Sequence, residues 1–249
     1  MTNLFGEFFG TLVLLSFGCG ACANLTLARS KAVGGGGGGA WIAVTAGWAF
    51  GVLLGVFSAI ATGAPQADLN PAITLAKMMV GIYAPGHAVM TMLAQVAGGF
   101  AGGCITWLMF LPHWEVTEDK ASKLSIFCTA PAIRNTTANL ICEVLATTFL
   151  ILMVFVIFSQ EVSSGGAKFA AGFGPYIVAI LIWGLGLSFG GPTGYALNPA
   201  RDLGPRIAHA ILPIAGKGGS DWGYSWIPVV GPFIGGALSF VIGKGMGIL

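Results

Sequence analysis

The sequence predicts an all-α membrane protein, with six transmembrane helices plus two re-entrant half helices in an inverted repeat. Three observations carry that prediction. The 249-residue chain is 55% hydrophobic and only 8% charged, whereas a soluble domain carries about 25% charged residues. Apolar stretches of about 20 residues, the length that crosses a bilayer's hydrocarbon, recur at 5–27, 40–62, 86–111, 138–158, 173–190 and 225–247. The tripeptide Asn-Pro-Ala occurs twice, as Asn70-Pro71-Ala72 and Asn198-Pro199-Ala200, each time opening a run too short to span.

The first span holds Phe8 to Phe17 followed by Ala21-Cys22-Ala23, a pattern shared with secretory leaders. Met1 to Gly6 lacks a basic residue and Glu7 comes early, so the segment reads as a retained first helix. Six glycines, Gly34 to Gly39, precede the second span and read as a flexible linker; no Lys-Ser/Thr signature makes them a phosphate loop. In the short run 70–80, Asn70 is a favoured helix cap and Pro71 suits the first helical position, where its missing N–H would be unpaired anyway. Between the third and fourth spans, 112–137 carries Glu115, Glu118, Asp119, Lys120, Lys123 and Arg134 and reads as a solvated loop. The fifth span is short, and its Gly-rich start at Gly172 is expected to lengthen it. Asn198 and Pro199 open the second short run, 198–211, as their counterparts open the first. Trp222, Tyr224 and Trp226 precede the last span as an interfacial aromatic belt.

The halves also match in residues. Gly6-Glu7-Phe8-Phe9-Gly10-Thr11 opens the first span and Cys142-Glu143-Val144-Leu145-Ala146-Thr147 the fourth, both reading small-Glu-apolar-apolar-small-Thr. The chain is therefore one domain, 1–249, with repeats at about 1–111 and 138–249 joined by 112–137. Three spans per half turn the second half upside down. Glu7 and Glu143 are acids inside apolar helices, which must pair or hydrogen-bond. The preferred reading is that each carboxylate accepts bonds from the loop backbone before a half helix; a proton relay is the alternative.

Other function classes find little support. A net charge of +2 without a basic run does not suit nucleic acid. Cys19-x-x-Cys22 has no second pair, and His87, His113 and His209 share no ligand spacing, so no metal is expected. Cys19, Cys22, Cys104 and Cys142 read as small hydrophobes; Cys128, in the polar connector, is expected near solvent. No nucleophile–base pair or cofactor loop points to an enzyme, and no cofactor is expected.

Gly194-Tyr195-Ala196-Leu197-Asn198-Pro199-Ala200-Arg201-Asp202-Leu203-Gly204-Pro205-Arg206 carries a more specific signal. With the two Asn-Pro-Ala copies, it resembles the aquaporin family, and more narrowly its bacterial glycerol-facilitator branch, over nearly the whole chain. The resemblance implies a passive channel in the bacterial plasma membrane, a homotetramer within the lipid bilayer. It would pass glycerol and small neutral solutes with some water. The two half-helix N-termini would meet at the midplane, where their dipoles repel cations and protons, the barrier already described for aquaporin-type channels in general. By motif matching, Trp48, Gly186, Tyr195 and Arg201 form the selectivity constriction. Gly186 leaves room that a His would fill in a water-selective pore, and the Tyr195 hydroxyl narrows the corner. Glu7, Glu143, Asp202 and Arg206 support the loops, Asp202 pairing with Arg206 at (i, i+4). Asp68 stands where the family usually has His; it either holds its loop, the preferred reading, or alters cation attraction at that mouth. Alternatives are a channel for water or neutral organic acids such as lactic acid, and a proton-coupled transporter, for which Asp68 is the nearest titratable group.

Overall fold

The computed structural model describes residues 3–32, 38–166, 170 and 172–249. They form α1 (Leu4–Thr26), α2 (Gly38–Ala61), α3 (Pro71–Val80), α4 (Pro85–Met109), α5 (Leu111–Val116), α6 (Lys120–Phe127), α7 (Thr136–Phe158), α8 (Phe173–Phe189), α9 (Pro199–Ile211) and α10 (Ile227–Gly245), with a π-helical turn at Glu161–Gly166. No strand occurs among the described residues. Helices α1, α2, α4, α7 and α10 are long and apolar enough to cross a bilayer. At 17 residues α8 is shorter, covering about 26 Å at 1.5 Å per residue. Gly172 does not lengthen it: a φ of +84° makes this residue a left-handed cap, and the helix starts after it. Of the hexaglycine read as a linker, 34–37 lie outside the described residues, and Gly38 and Gly39 already belong to α2.

Beside an apolar core that includes Leu15, Leu150 and Ile151, the bundle buries polar side chains and exposes large apolar ones. Glu7, Thr11, Thr91, Gln95, Thr106, Thr147 and Ser239 are buried, while Phe5, Phe17, Leu93, Met109, Phe149 and Val241 are exposed on the perimeter, where lipid tails accept them. Because lipid is as apolar as leucine, helices associate through close packing and hydrogen bonds, and small residues mark the seams. A Cβ on Gly98 of α4 would come within 2.2 Å of the Phe8 carbonyl oxygen, and one on Gly99 within 2.6 Å of the Ala200 carbonyl oxygen. On α10, a Cβ on Gly235 would meet the Val144 carbonyl oxygen at 2.7 Å, and one on Gly236 the Ala72 carbonyl oxygen at 2.7 Å. Each glycine pair thus seats a long helix against the first helix of its own half and the half helix of the other. The two halves repeat each other's packing.

The connector departs from its expected form. It holds α5 and α6; α6 packs against α1 and α9, and the two short helices bury Trp114, Ile126 and Phe127. Trp114 Nε1 donates to the Trp107 carbonyl oxygen at 3.0 Å, and Thr117 Oγ1 accepts from the Ala28 N–H at 2.9 Å. Cys128, at the end of α6, is buried rather than near solvent, because the connector is a packed cap rather than a loop in water. Lys123 is also buried, donating to the Ala215 carbonyl oxygen. Asp119 starts α6 by accepting from the Ala121 and Ser122 N–H groups at 3.1 and 3.0 Å.

Candidate functional site

The two Asn-Pro-Ala segments meet at the centre of the bundle. Asn70 Oδ1 accepts from the Ala72 N–H at 2.9 Å, and Asn198 Oδ1 accepts from those of Ala200 and Arg201 at 2.9 and 3.2 Å. The amide nitrogens cross between halves: Asn70 Nδ2 donates to the Leu197 carbonyl oxygen at 2.9 Å, and Asn198 Nδ2 to that of Leu69 at 2.8 Å. An amide carries two N–H groups. One is spent on the crossing bond; the other is left for the cavity that both asparagines line.

The loops before the half helices are strained in the same way. Ala67 and Leu69 have φ of +43° and +52°, and Tyr195 and Leu197 have +39° and +56°. A left-handed non-glycine residue costs about 1–2 kcal/mol, so something must hold each loop. Glu7 accepts from the Asp68 and Leu69 N–H groups, both at 2.9 Å, and Glu143 from those of Ala196 and Leu197, both at 3.0 Å. Gln95 Nε2 donates to Glu7 at 2.9 Å, and the Thr193 hydroxyl bonds Glu143. Each buried carboxylate thereby replaces the water that these orphan N–H groups would need. Gln95 and Thr193 escaped the sequence reading, although a Gln within an apolar span was a visible signal.

The ion pairs differ between halves. Arg206 donates to Asp202 from Nε at 2.7 Å and from Nη2 at 3.0 Å, and both side chains are fully buried. Asp202 also accepts from the Thr129 N–H and hydroxyl, each at 2.8 Å, while Arg206 reaches the Ser220, Asp221 and Thr129 carbonyl oxygens. In the first half, Asp68 pairs with Lys77 and accepts from the Thr74 hydroxyl at 2.9 Å.

Trp48, Tyr195, Gly186 and Arg201 come together. The Arg201 guanidinium lies 4.0 Å over the Trp48 ring, and its Nη1 points to the Phe127 carbonyl oxygen at 3.5 Å. A Cβ on Gly186 would fall 2.8 Å from Tyr195 Cζ, so the phenol occupies the room that this glycine leaves. Trp41, a residue the sequence reading missed, clamps the phenol edge-on at 6.2 Å and donates to the Gly186 carbonyl oxygen at 3.1 Å. The Tyr195 hydroxyl is buried without a protein partner. A cavity of about 460 Å³ extends from Gln66, Lys77 and Phe158, past both asparagines, to Trp48, Tyr195 and Arg201.

The profile described as Major intrinsic protein matches residues 1–242. The chain belongs to the major intrinsic protein family. Among its relatives, Glycerol uptake facilitator protein 3 of Lactiplantibacillus plantarum is 46% identical, over 96% of this chain and 95% of the relative. The probable glycerol uptake facilitator protein of Thermotoga maritima is 43% identical over 96% of each. The D/L-lactic acid transporter of L. plantarum is 37% identical over 95% of this chain and 94% of its own length. The X-ray structure of the aquaglyceroporin from Plasmodium falciparum superposes with a TM-score of 0.82 at 27% identity, over 97% of this chain and 94% of that one. This major intrinsic protein has the aquaporin fold, is not an enzyme, and is a multi-pass integral protein of the plasma membrane.

Proposed function

We propose that this major intrinsic protein is a passive channel for glycerol and similar small uncharged solutes, passing some water and excluding ions and protons. The observation that carries the reading is the convergence of two capped half helices and Arg201 on one continuous cavity. Each half-helix N-terminus bears about half a positive charge, and Arg201 adds a full one. Cations meet three positive groups in succession. A neutral solute instead finds N–H donors from Asn70, Asn198 and Arg201 and, in the same cavity, the apolar surfaces of Trp48, Val52 and Ile182. Weak binding follows, as conduction requires. A solute entering the constriction parts the Arg201–Trp48 stack, a contact worth about 0.5–2 kcal/mol, and replaces it with hydrogen bonds to the guanidinium. Glu7, Glu143, Asp202 and Arg206 hold the loops that aim these groups. Subunits assemble as homotetramers with one pore each.

A second reading, passage of neutral 2-hydroxy acids such as lactic acid, draws on the unpartnered Tyr195 hydroxyl and on the relative named for lactic acid. Proton coupling has less behind it, because Asp68 is tied into an ion pair with Lys77.

Stopped-flow light scattering on proteoliposomes tests the proposal, following glycerol, lactic acid and water with and without a pH gradient. Glycerol entry that ignores the gradient is expected. A Gly186→His variant, whose ring must drive Tyr195 into the pore, is expected to cut glycerol flux far more than water flux. Water flux without glycerol flux would overturn the reading, and so would gradient-driven uptake.

A further inference from the structure

At the mouth away from Arg201, one side chain bridges the loop edge from Gln66 to Asp68. Lys77 sits in the last turn of α3, and its ammonium has three protons to donate. All three are used on the loop: on the Gln66 carbonyl oxygen at 3.0 Å, on Gln66 Oε1 at 3.0 Å, and on Asp68 Oδ1. Asp68 Oδ2 accepts from Thr74 Oγ1, which accepts from Gln95 Nε2, which in turn reaches Glu7. Gln66, Asp68 and Lys77 all line the cavity. The Asp68 side chain is fully buried and that of Lys77 is 14% exposed, so the positive end of the pair faces the opening.

We propose that Lys77 is the positioning and charge-balancing residue of this mouth. It pins the left-handed loop whose backbone borders the pore, and it cancels Asp68, so that a neutral solute meets no net charge and a cation finds no site. This assignment rests on the channel reading above. Asp68 stands where the family resemblance implies a His, and Lys77 is the residue that balances an acid there. A carboxylate left unpaired beside the cavity would attract cations and compete with Glu7 for the loop. Among the described residues, Glu7 on α1 is a further charged group in contact with this network, while Gln95 on α4 is neutral; Lys244 of α10 lies exposed over Phe240.

The test compares Lys77→Met, Lys77→Arg, Asp68→Asn and the Lys77→Met/Asp68→Asn double variant in proteoliposomes, reading glycerol flux with and without millimolar Ca²⁺ on both sides. Lys77→Met is expected to lose roughly tenfold in flux, the scale of one charge-assisted hydrogen bond, and its residual flux is expected to fall again with Ca²⁺. Lys77→Arg should restore both properties. The double variant should recover most of the flux and ignore Ca²⁺, as wild type does. A Lys77→Met channel that conducts like wild type would overturn the proposal. So would one that is slow, blind to Ca²⁺ and not rescued by Asp68→Asn, because Lys77 would then only stiffen the fold. Wild type without glycerol flux would sink the channel reading instead, a separate outcome.

Discussion

The two half-helix loops make the same backbone demands and meet them with opposite arrangements of charge. In the second half the acid, Asp202, lies on the half helix, and its partner Arg206 lies one turn further along it. The pair is sealed from solvent and bonded to Thr129, Ser220 and Asp221. In the first half the acid, Asp68, lies in the loop, and Thr74, the residue that corresponds to Asp202, merely donates to it. The second loop is therefore built into its surroundings, whereas the first is tied mainly to itself and to Glu7. A repeated backbone shape does not require a repeated set of side chains. It requires that the same N–H and carbonyl groups find partners.

Breaking the sealed pair should produce the largest effect. Arg206→Met leaves a buried carboxylate uncompensated, which costs about 3–5 kcal/mol. Little folded protein should survive detergent extraction, and a thermal-melt assay should show the loss; a melt equal to wild type would mean that Thr129 alone suffices for Asp202. The shared support comes next. Glu143→Gln and Glu7→Gln each swap one acceptor oxygen for a donor facing a loop N–H, with an expected loss of about 1–3 kcal/mol. Both should melt earlier and conduct glycerol more slowly, and by similar amounts, because the two carboxylates make matching bonds. A large difference between them would show that Gln95 and Thr193 are not equivalent third partners.

The smallest effect lies outside the membrane. Hydrogen bonds from Ser122 and Ala121 lower the Asp119 pKa below the usual carboxylate value. The folded form thus prefers the charged acid, and its cap on α6 contributes above the unfolded pKa and fades as pH falls through the lowered one. Asp119→Asn keeps a good cap and should flatten that part of the melting temperature's dependence on acid pH. An unchanged acid slope would assign it to another group.

Much of this arrangement could be read from the residues. Runs of apolar side chains locate all six spans to within a few residues, because a bilayer imposes a minimum length. Asn and Pro place the starts of α3 and α9 for a local reason, the unpaired N–H groups of a helix's first turn. The buried face of each span was harder to see: with Phe5 and Leu14 on opposite sides of α1, hydropathy has no period to show. Glycines carry that information, and it becomes legible only once Gly98 and Gly235 are seen against Phe8 and Val144. The connector was misjudged because its charges drew attention away from Trp114, Ile126 and Phe127. Lys77 was passed over for a related reason, since a lone basic residue near a helix end is ordinarily solvated.

The crossed amide bonds also impose an order on synthesis. Asn70 leaves the ribosome 127 residues ahead of Leu197, whose carbonyl it needs. At about 5–20 residues per second, the first half helix waits roughly 6–25 s for that partner. Until Leu197 arrives, an inserted first half holds a bent loop with one amide and one carbonyl unmet inside the bilayer. The crossed bonds can close only once the second half has been made past Asn198, so a truncated first half is an assembly intermediate rather than half a channel.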